Sequence, residues 1–330
     1  MKRFLIVLLL SLTIFGFSIE KKECRPACDC LKKFAYSKSI CHKKHHTELS
    51  YLHMNFFEDG LEYAQVVSED EKVFRNEQKF NPGVRLTIGF PLSILSPIER
   101  YLDLTWTYIK MKRASTTGDR GTIYALFLPP FFLASTKASA TLSGNFNTVD
   151  LTISKPYHVS KFYISKPSIG IRAAIIDQKY RITYHIAQLQ SNIRAKNDYY
   201  GIGIKAGYLA DFIINSNYSF YAKANFALLY GRVDLSQKTP GDINSLLQYT
   251  IKEKTRTVQP NTEIAFGVSF DRNLTNHIDK LSIKVGYEFL QFWDQLQLKR
   301  LMSQDPTAVK TVSRNNLKFN GLVFSILIDF

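Results

Sequence analysis

The chain has 330 residues, 45% of them hydrophobic and 22% charged, with a formal net charge of +15. Past residue 18 it has no apolar run of the ~18 residues that a spanning helix needs, which excludes a helical membrane bundle. A basic excess usually points to nucleic acid; the export signal below turns it toward anionic lipid headgroups, surface polysaccharide or anionic solutes.

The order along the chain begins with that signal. Lys2 and Arg3 precede an apolar segment, Phe4 to Phe17, interrupted only by Ser11, Thr13 and Gly16. Gly16 and Ser18 supply a small-x-small cleavage pattern. This predicts a signal peptide over 1–18 and a mature start at Ile19. Residues 19–48 are polar and basic and read as a periplasmic extension. All 4 cysteines fall there, at Cys24, Cys28, Cys30 and Cys41. An oxidising envelope makes them disulfides, and both local bridges and bridges between molecules stay open. Cys41-His-Lys-Lys-His-His46 fits no zinc template, so no metal or cofactor is expected.

Residues 49–330 alternate between apolar and polar positions, the period-two pattern of strands. Leu49 to Phe57 reads as a first strand, with Leu61 to Val67 extending or returning it. Val84, Leu86, Ile88 and Phe90 share a face, as do Leu102, Leu104, Trp106 and Tyr108. Ala138 to Ser154 is a long alternating strand. Ile169 to Ile175 and Ile182 to Ile186 read as two further strands. Tyr200 to Phe212 and Tyr218 to Tyr230 are the clearest pair. Asp234 to Thr257 and Gln297 to Asn316 read as long polar loops. Leu322, Phe324, Ile326, Ile328 and Phe330 form the apolar face of a terminal strand. That face matches an assembly signal read by the barrel-assembly machinery, and its strand is expected to pair with the first one near Leu49.

Repeated segments of this kind predict an all-β fold: a transmembrane antiparallel β-barrel of about 12 strands (range roughly 10 to 16) in the bacterial outer membrane. A soluble secreted sandwich or barrel is the competing architecture. If the apolar faces meet lipid, Arg85, Arg172, Arg181, Lys205, Lys223 and Lys284 line the lumen, with fewer acids, Asp103 and Glu288. A basic lumen concentrates anions.

Two catalytic signals are weak. Gly201-Ile-Gly-Ile-Lys-Ala-Gly207 lacks the helix a dinucleotide loop requires. His158 and His185 are the candidate bases of the barrel region, and no serine stands in a nucleophile context. The chain is read as no enzyme.

Two central segments carry a resemblance. One runs from Ala138 through Asn147-Thr-Val-Asp-Leu151 to Pro156, the other is Ser168-Ile-Gly-Ile-Arg-Ala-Ala-Ile-Ile-Asp-Gln178. With Glu58-Asp-Gly-Leu-Glu-Tyr63, they resemble the pore-forming major-outer-membrane-protein-like family known from chlamydiae and legionellae. The resemblance spans about Leu49 to Phe330. It implies a porin-like channel for small hydrophilic solutes and, from the chlamydial members, a disulfide-crosslinked envelope. Here the cysteines stand in the N-terminal extension rather than along the barrel.

The expected function is passive diffusion of small hydrophilic solutes through the outer membrane, with a weak preference for anions. The alternative is a structural or adhesive barrel with an occluded lumen and surface-binding loops, linked by disulfides to itself or to envelope proteins. Outer-membrane lipid is the common partner of both, and nucleic acid of neither.

Overall fold

The computed structural model describes residues 45–66, 72–75, 79–92, 100–118, 123–127, 134–186, 189–239, 249–274, 279–301 and 309–330. The signal segment, the four cysteines and the Pro129-Pro130 break lie outside these residues.

Among the described residues the chain is entirely β. Its strands are β1 (His46–Glu58), β2 (Ala64–Val66), β3 (Lys72–Phe74), β4 (Phe80–Pro91), β5 (Tyr101–Thr116), β6 (Ile123–Ala125), β7 (Ala134–Ser135) and β8 (Lys137–Ser154). They continue with β9 (Tyr157–Ser160), β10 (Tyr163–Ile186), β11 (Leu189–Ile213), β12 (Tyr218–Thr239), β13 (Tyr249–Asn273), β14 (Lys280–Leu301) and β15 (Val309–Asp329).

Ten of them close into one antiparallel barrel in the order β1, β4, β5, β8, β10, β11, β12, β13, β14, β15. The barrel closes where β15 pairs with β1 from His46↔Asp329 to Glu58↔Leu317, with Leu49 opposite Ile326. The short β9 is an extra strand beside the start of β10. Ten barrel strands lie at the lower end of the expected 10 to 16, two short of 12 for two reasons. Ile169 to Ile175 and Ile182 to Ile186 belong to one continuous 24-residue strand, β10. Of the Leu61 to Val67 segment, Ala64–Val66 leave the wall as β2, part of a separate sheet in the order β3-β2-β6-β7. The supposed polar loops are also mostly wall, since β12 runs to Thr239, β13 starts at Tyr249, β14 reaches Leu301 and β15 starts at Val309.

Strands β11 and β13 each have 25 residues. At ~3.3 Å per residue and a tilt of ~40°, the wall stands ~60 Å tall, about twice an apolar band of ~25 Å. That band lies at the end carrying Phe330 and the tight Asn215–Asn217 turn. Leu49, Tyr51, Leu151, Ile169, Ile202, Ile204, Phe266, Val268, Ile283 and Val285 all point outward and are exposed there. Lipid solvates such a face, and closure leaves it no open edge. The terminal-strand positions Leu322, Phe324, Ile326 and Phe330 join it at 41%, 43%, 50% and 52% exposure. Ile328 is half-buried on the same parity. Short turns mark the periplasmic side, so the other half of the wall projects outward from the cell.

In that projecting half the polarity reverses. Along β10, Ile169, Ile171 and Ile175 face out, and parity then puts Asp177, Lys179 and Arg181 outside as well. Ile176, Tyr180, Ile182 and Tyr184 face in and are buried at 3% or less. Arg181 is therefore an outer-wall residue and not a lumen residue. The expectation that it lines the lumen groups Ile182 with the lipid-facing isoleucines, but an unbroken strand keeps its parity.

The last strand makes the closure testable. Phe330→Asp puts a charge on the lipid-facing end of the seam, where the Phe330 amide donates to the His45 carbonyl at 2.9 Å. The variant is expected to reach the heat-modifiable, membrane-inserted form in about a fifth to a half of the wild-type yield, since a charge near the interface costs up to ~1 kcal/mol. Wild-type yield on semi-native gels would contradict a lipid-exposed closing strand.

Candidate functional site in the barrel lumen

Inward-facing side chains fill the lumen in two layers. The membrane-level layer is ionic. Arg85 on β4 donates from Nη1 and Nη2 to Glu288 on β14 at 2.7 and 2.6 Å. Its Nε donates to Thr107 Oγ1 at 3.1 Å. Arg172 on β10 forks onto Asp150 of β8, with both bonds at 2.7 Å, and donates to Glu263 of β13 at 2.8 Å and to Asn261. Lys205 reaches Asp150 at 2.7 Å and Lys223 reaches Glu263 at 2.5 Å. Lys284 pairs with Glu48 at 2.8 Å. Nearest the periplasm, Asp103 accepts from Ser154 and Lys166 at 3.0 and 3.3 Å and faces His46 Nε2 at 3.2 Å.

Several of these bonds join strands that are not neighbours. Two strands stand between β14 and β4, and two between β10 and β13. The Arg85–Glu288 and Arg172–Glu263 bonds therefore run between separate parts of the wall. Each is charge-assisted and largely desolvated, with Arg85 8%, Arg172 3%, Glu263 2% and Glu288 1% exposed. A buried charge is tolerated only when it is paired and hydrogen-bonded in this way.

The layer above is apolar. Phe146 on β8 meets Phe319 on β15 at 4.9 Å and Phe292 on β14 at 5.4 Å between ring centroids. Phe56 on β1 adds a third contact with Phe319 at 6.2 Å. Three strands separate β8 from β15 in the wall, so these rings meet across the interior. All four are at most 1% exposed. Arg113 lies over the Phe56 ring at 4.3 Å. At the same outer level Gln178 of β10 donates to both Glu58 carboxylate oxygens of β1 at 2.8 Å, again between distant strands.

The β3-β2-β6-β7 sheet closes over this layer. Leu61, Tyr63, Ala64, Ile123, Ala125 and Phe127 are buried at 5% or less. Wall tyrosines fasten the sheet: Tyr180 donates to the Leu61 carbonyl at 2.8 Å and Tyr184 to the Tyr63 carbonyl at 2.5 Å. Tyr63 donates to Ser115 at 3.1 Å.

Seven of the eight residues assigned to the lumen from the sequence stand at inward positions: Arg85, Asp103, Arg172, Lys205, Lys223, Lys284 and Glu288. Arg181 does not. The basic excess expected of this lumen is absent, because Glu48, Asp150, Asp211, Glu263 and Asp271 also stand inward and balance it. Asp150 and Asp211 stand between apolar neighbours, and Glu263 and Asp271 share the phase of Ala265 and Ser269 on β13, so the phase of a whole strand identifies them. Glu48 is harder to find, because in sequence it belongs to the polar stretch that precedes the first apolar run. His158 and His185 lie near opposite ends of β10, on β9 and beside Lys137, roughly 70 Å apart at ~3.3 Å per residue.

A closed, all-antiparallel barrel with a lipid-facing belt is the architecture of an outer-membrane protein. The family model described as Legionella pneumophila major outer membrane protein precursor matches residues 42–330. The chain belongs to this family. It is a protein of the bacterial outer membrane, as its barrel and belt require. No curated protein matches it. Among solved structures it is similar to the outer membrane protease OmpT of Escherichia coli, at 9% identity and a TM-score of 0.41, covering 87% of this chain and 96% of that one. It is also similar to a Pseudomonas aeruginosa FadL homologue, at 7% identity and 0.28, covering 88% and 91%. The toluene transporter TodX of P. putida matches at 7% and 0.27, covering 89% and 91%.

Within this family member the Arg85–Glu288 pair can be dissected. Arg85→Met leaves Glu288 buried without its partner and should cost ~3–5 kcal/mol in denaturant unfolding from detergent micelles. Arg85→Met with Glu288→Met should recover more than half of that loss. A single variant as stable as wild type would mean that the carboxylate finds water, and that the lumen is wet at this level.

Proposed function

We propose that this protein acts as a sealed outer-membrane barrel, an envelope-anchored scaffold whose projecting half presents a rigid outer surface. The observation that supports this most strongly is the Phe56–Phe146–Phe292–Phe319 cluster. It joins β1, β8, β14 and β15 through the interior, directly above an ionic layer that also bridges distant strands. Side chains fill the interior of barrels of about 8 strands, and water-filled channels belong to walls of about 16. Ten strands, with a tucked-in sheet, lie near the filled end.

A solute channel held closed is the second reading. The ionic lining favours it, since Arg85, Arg172, Lys205 and Glu263 at membrane depth would suit a hydrated path once the outer layer moved. A balanced lining of this kind gives little charge selectivity, in place of the anion preference expected from the sequence.

Planar-bilayer recordings on the purified protein separate the two. The scaffold reading expects no stable conductance steps from wild type. Replacing Phe56, Phe146 and Phe319 by Ala, which opens a cavity at ~3–5 kcal/mol per ring, is expected to give steps only together with truncation of the Arg85–Glu288 and Arg172–Glu263 braces below it. Regular open steps from wild type would overturn the scaffold reading and support the channel.

A further inference from the structure

The outer wall of β10 to β13, just above the apolar belt, carries charge that the lumen does not use. We propose that this patch binds the phosphate groups of a lipid in the outer leaflet. The proposal stands whether or not the lumen conducts.

Register places the charges. One cross-strand row reads Arg181, Arg194 and Lys238 on β10, β11 and β12. The row next to it toward the membrane holds Lys179 opposite Lys196. Nearer still, Arg232 stands opposite Arg256 on β13. All of these side chains are exposed on the outside. Side chains at directly opposed positions have Cβ atoms ~5 Å apart, and like charges there repel. A row of three cations across three strands is thus a standing cost for the bare protein.

The wall's own acids cover only part of it. Asp177, Asp198 and Asp234 form a row between the belt and the lysines. Lys196 pairs with Asp198, and Arg232 pairs with Asp234 at 2.5 Å. Asp177 is shared electrostatically by Lys196 and Lys179, while Arg181, Arg194 and Lys238 make no ion pair with a described residue. What remains is a net cationic rectangle with arginine forks suited to phosphate oxygens.

Position selects a lipid over a free anion. On the same strands the outward residues immediately below are Ile175, Tyr200, Tyr230 and Val258, at 39%, 49%, 58% and 58% exposure. Ile202 and Ile204 continue that apolar surface at 59% and 67%. One molecule with acyl chains and a phosphorylated head covers both surfaces, and the interface of the belt sets them at the right height. Tyrosines at the boundary are the usual markers of that interface.

Native mass spectrometry of the full barrel in a neutral detergent tests this, with lipid A as the probe. Bisphosphorylated lipid A should stay bound to wild type, and its dephosphorylated form should not. Arg181→Gln with Arg194→Gln should weaken retention about tenfold, from the loss of two charge-assisted forks, while Arg181→Lys with Arg194→Lys keeps part of it. Lys179→Gln with Lys238→Gln provides an independent pair should the first fold poorly, read by heat-modifiable mobility. Lys110→Gln with Lys112→Gln, outward on β5, should change nothing. The proposal fails if dephosphorylated lipid A binds equally or if both patch variants bind as wild type. It also fails if the β5 pair weakens binding as much, which would mean diffuse charge, or if millimolar inorganic phosphate displaces the lipid, which would mean a simple anion site.

Discussion

Closure of the sheet is the constraint on which everything else depends. In lipid no water is available to bond an open strand edge, and each unsatisfied backbone group costs several kcal/mol. The thirteen-residue seam between β1 and β15 removes both edges at once. It does more than satisfy amides. Once the wall is a closed ring, inward and outward become fixed properties of each position, and a strand cannot slip by one residue without turning its whole apolar face into the lumen.

That fixed parity runs through two solvents. Over the half that carries Leu49, Ile202 and Phe324, the outside is lipid and the apolar set must point outward. Over the half that carries Lys179, Arg194 and Lys254, the outside is water, and the ordinary rule of soluble proteins returns. The same strand therefore changes sign without changing phase. In β10 the outward series goes from Ile169, Ile171 and Ile175 to Asp177, Lys179 and Arg181, while the inward series goes from Arg172 to Ile176, Ile182 and Tyr184. The lower half is built as a membrane protein and the upper half as a packed β-barrel with a hydrophobic core of its own.

This change of sign decides what is legible in the sequence. The belt strands Tyr200 to Phe212 and Leu322 to Phe330 are legible because their outward apolar set is unbroken and long. Asp234 to Thr257 is not legible as wall. There the outward positions Asp234, Lys238, Lys252, Lys254 and Arg256 are charged and the inward ones, such as Leu235 and Gln237, are modest, so hydrophobicity alone suggests a loop. Arg181 misleads for a related reason: the apolar residue beside it suggests lipid, when in this half apolar residues mark the interior. The closing sheet of β2, β3, β6 and β7 leaves no signal of its own. Its strands are two to three residues long, and what holds them is tertiary, the Tyr180 and Tyr184 hydroxyls on the Leu61 and Tyr63 carbonyls.

The two lumen layers depend on each other. Arg172, Asp150 and Glu263 gain strength from exclusion of water, because a low local dielectric strengthens paired charges and penalises unpaired ones. The aromatic cluster above them excludes that water. Conversely, the rings of Phe146 and Phe319 can meet only because the wall is held at a fixed diameter, and the Arg85–Glu288 and Arg172–Glu263 bonds brace it one level below. Displacing the outer sheet alone would leave the aromatic layer in place. Displacing the aromatic layer would hydrate the charges and still leave arginine–carboxylate bonds between distant strands. A continuous path for solute therefore requires both layers to yield, and hydration of the lower charges would offset part of the cost of parting the rings above them.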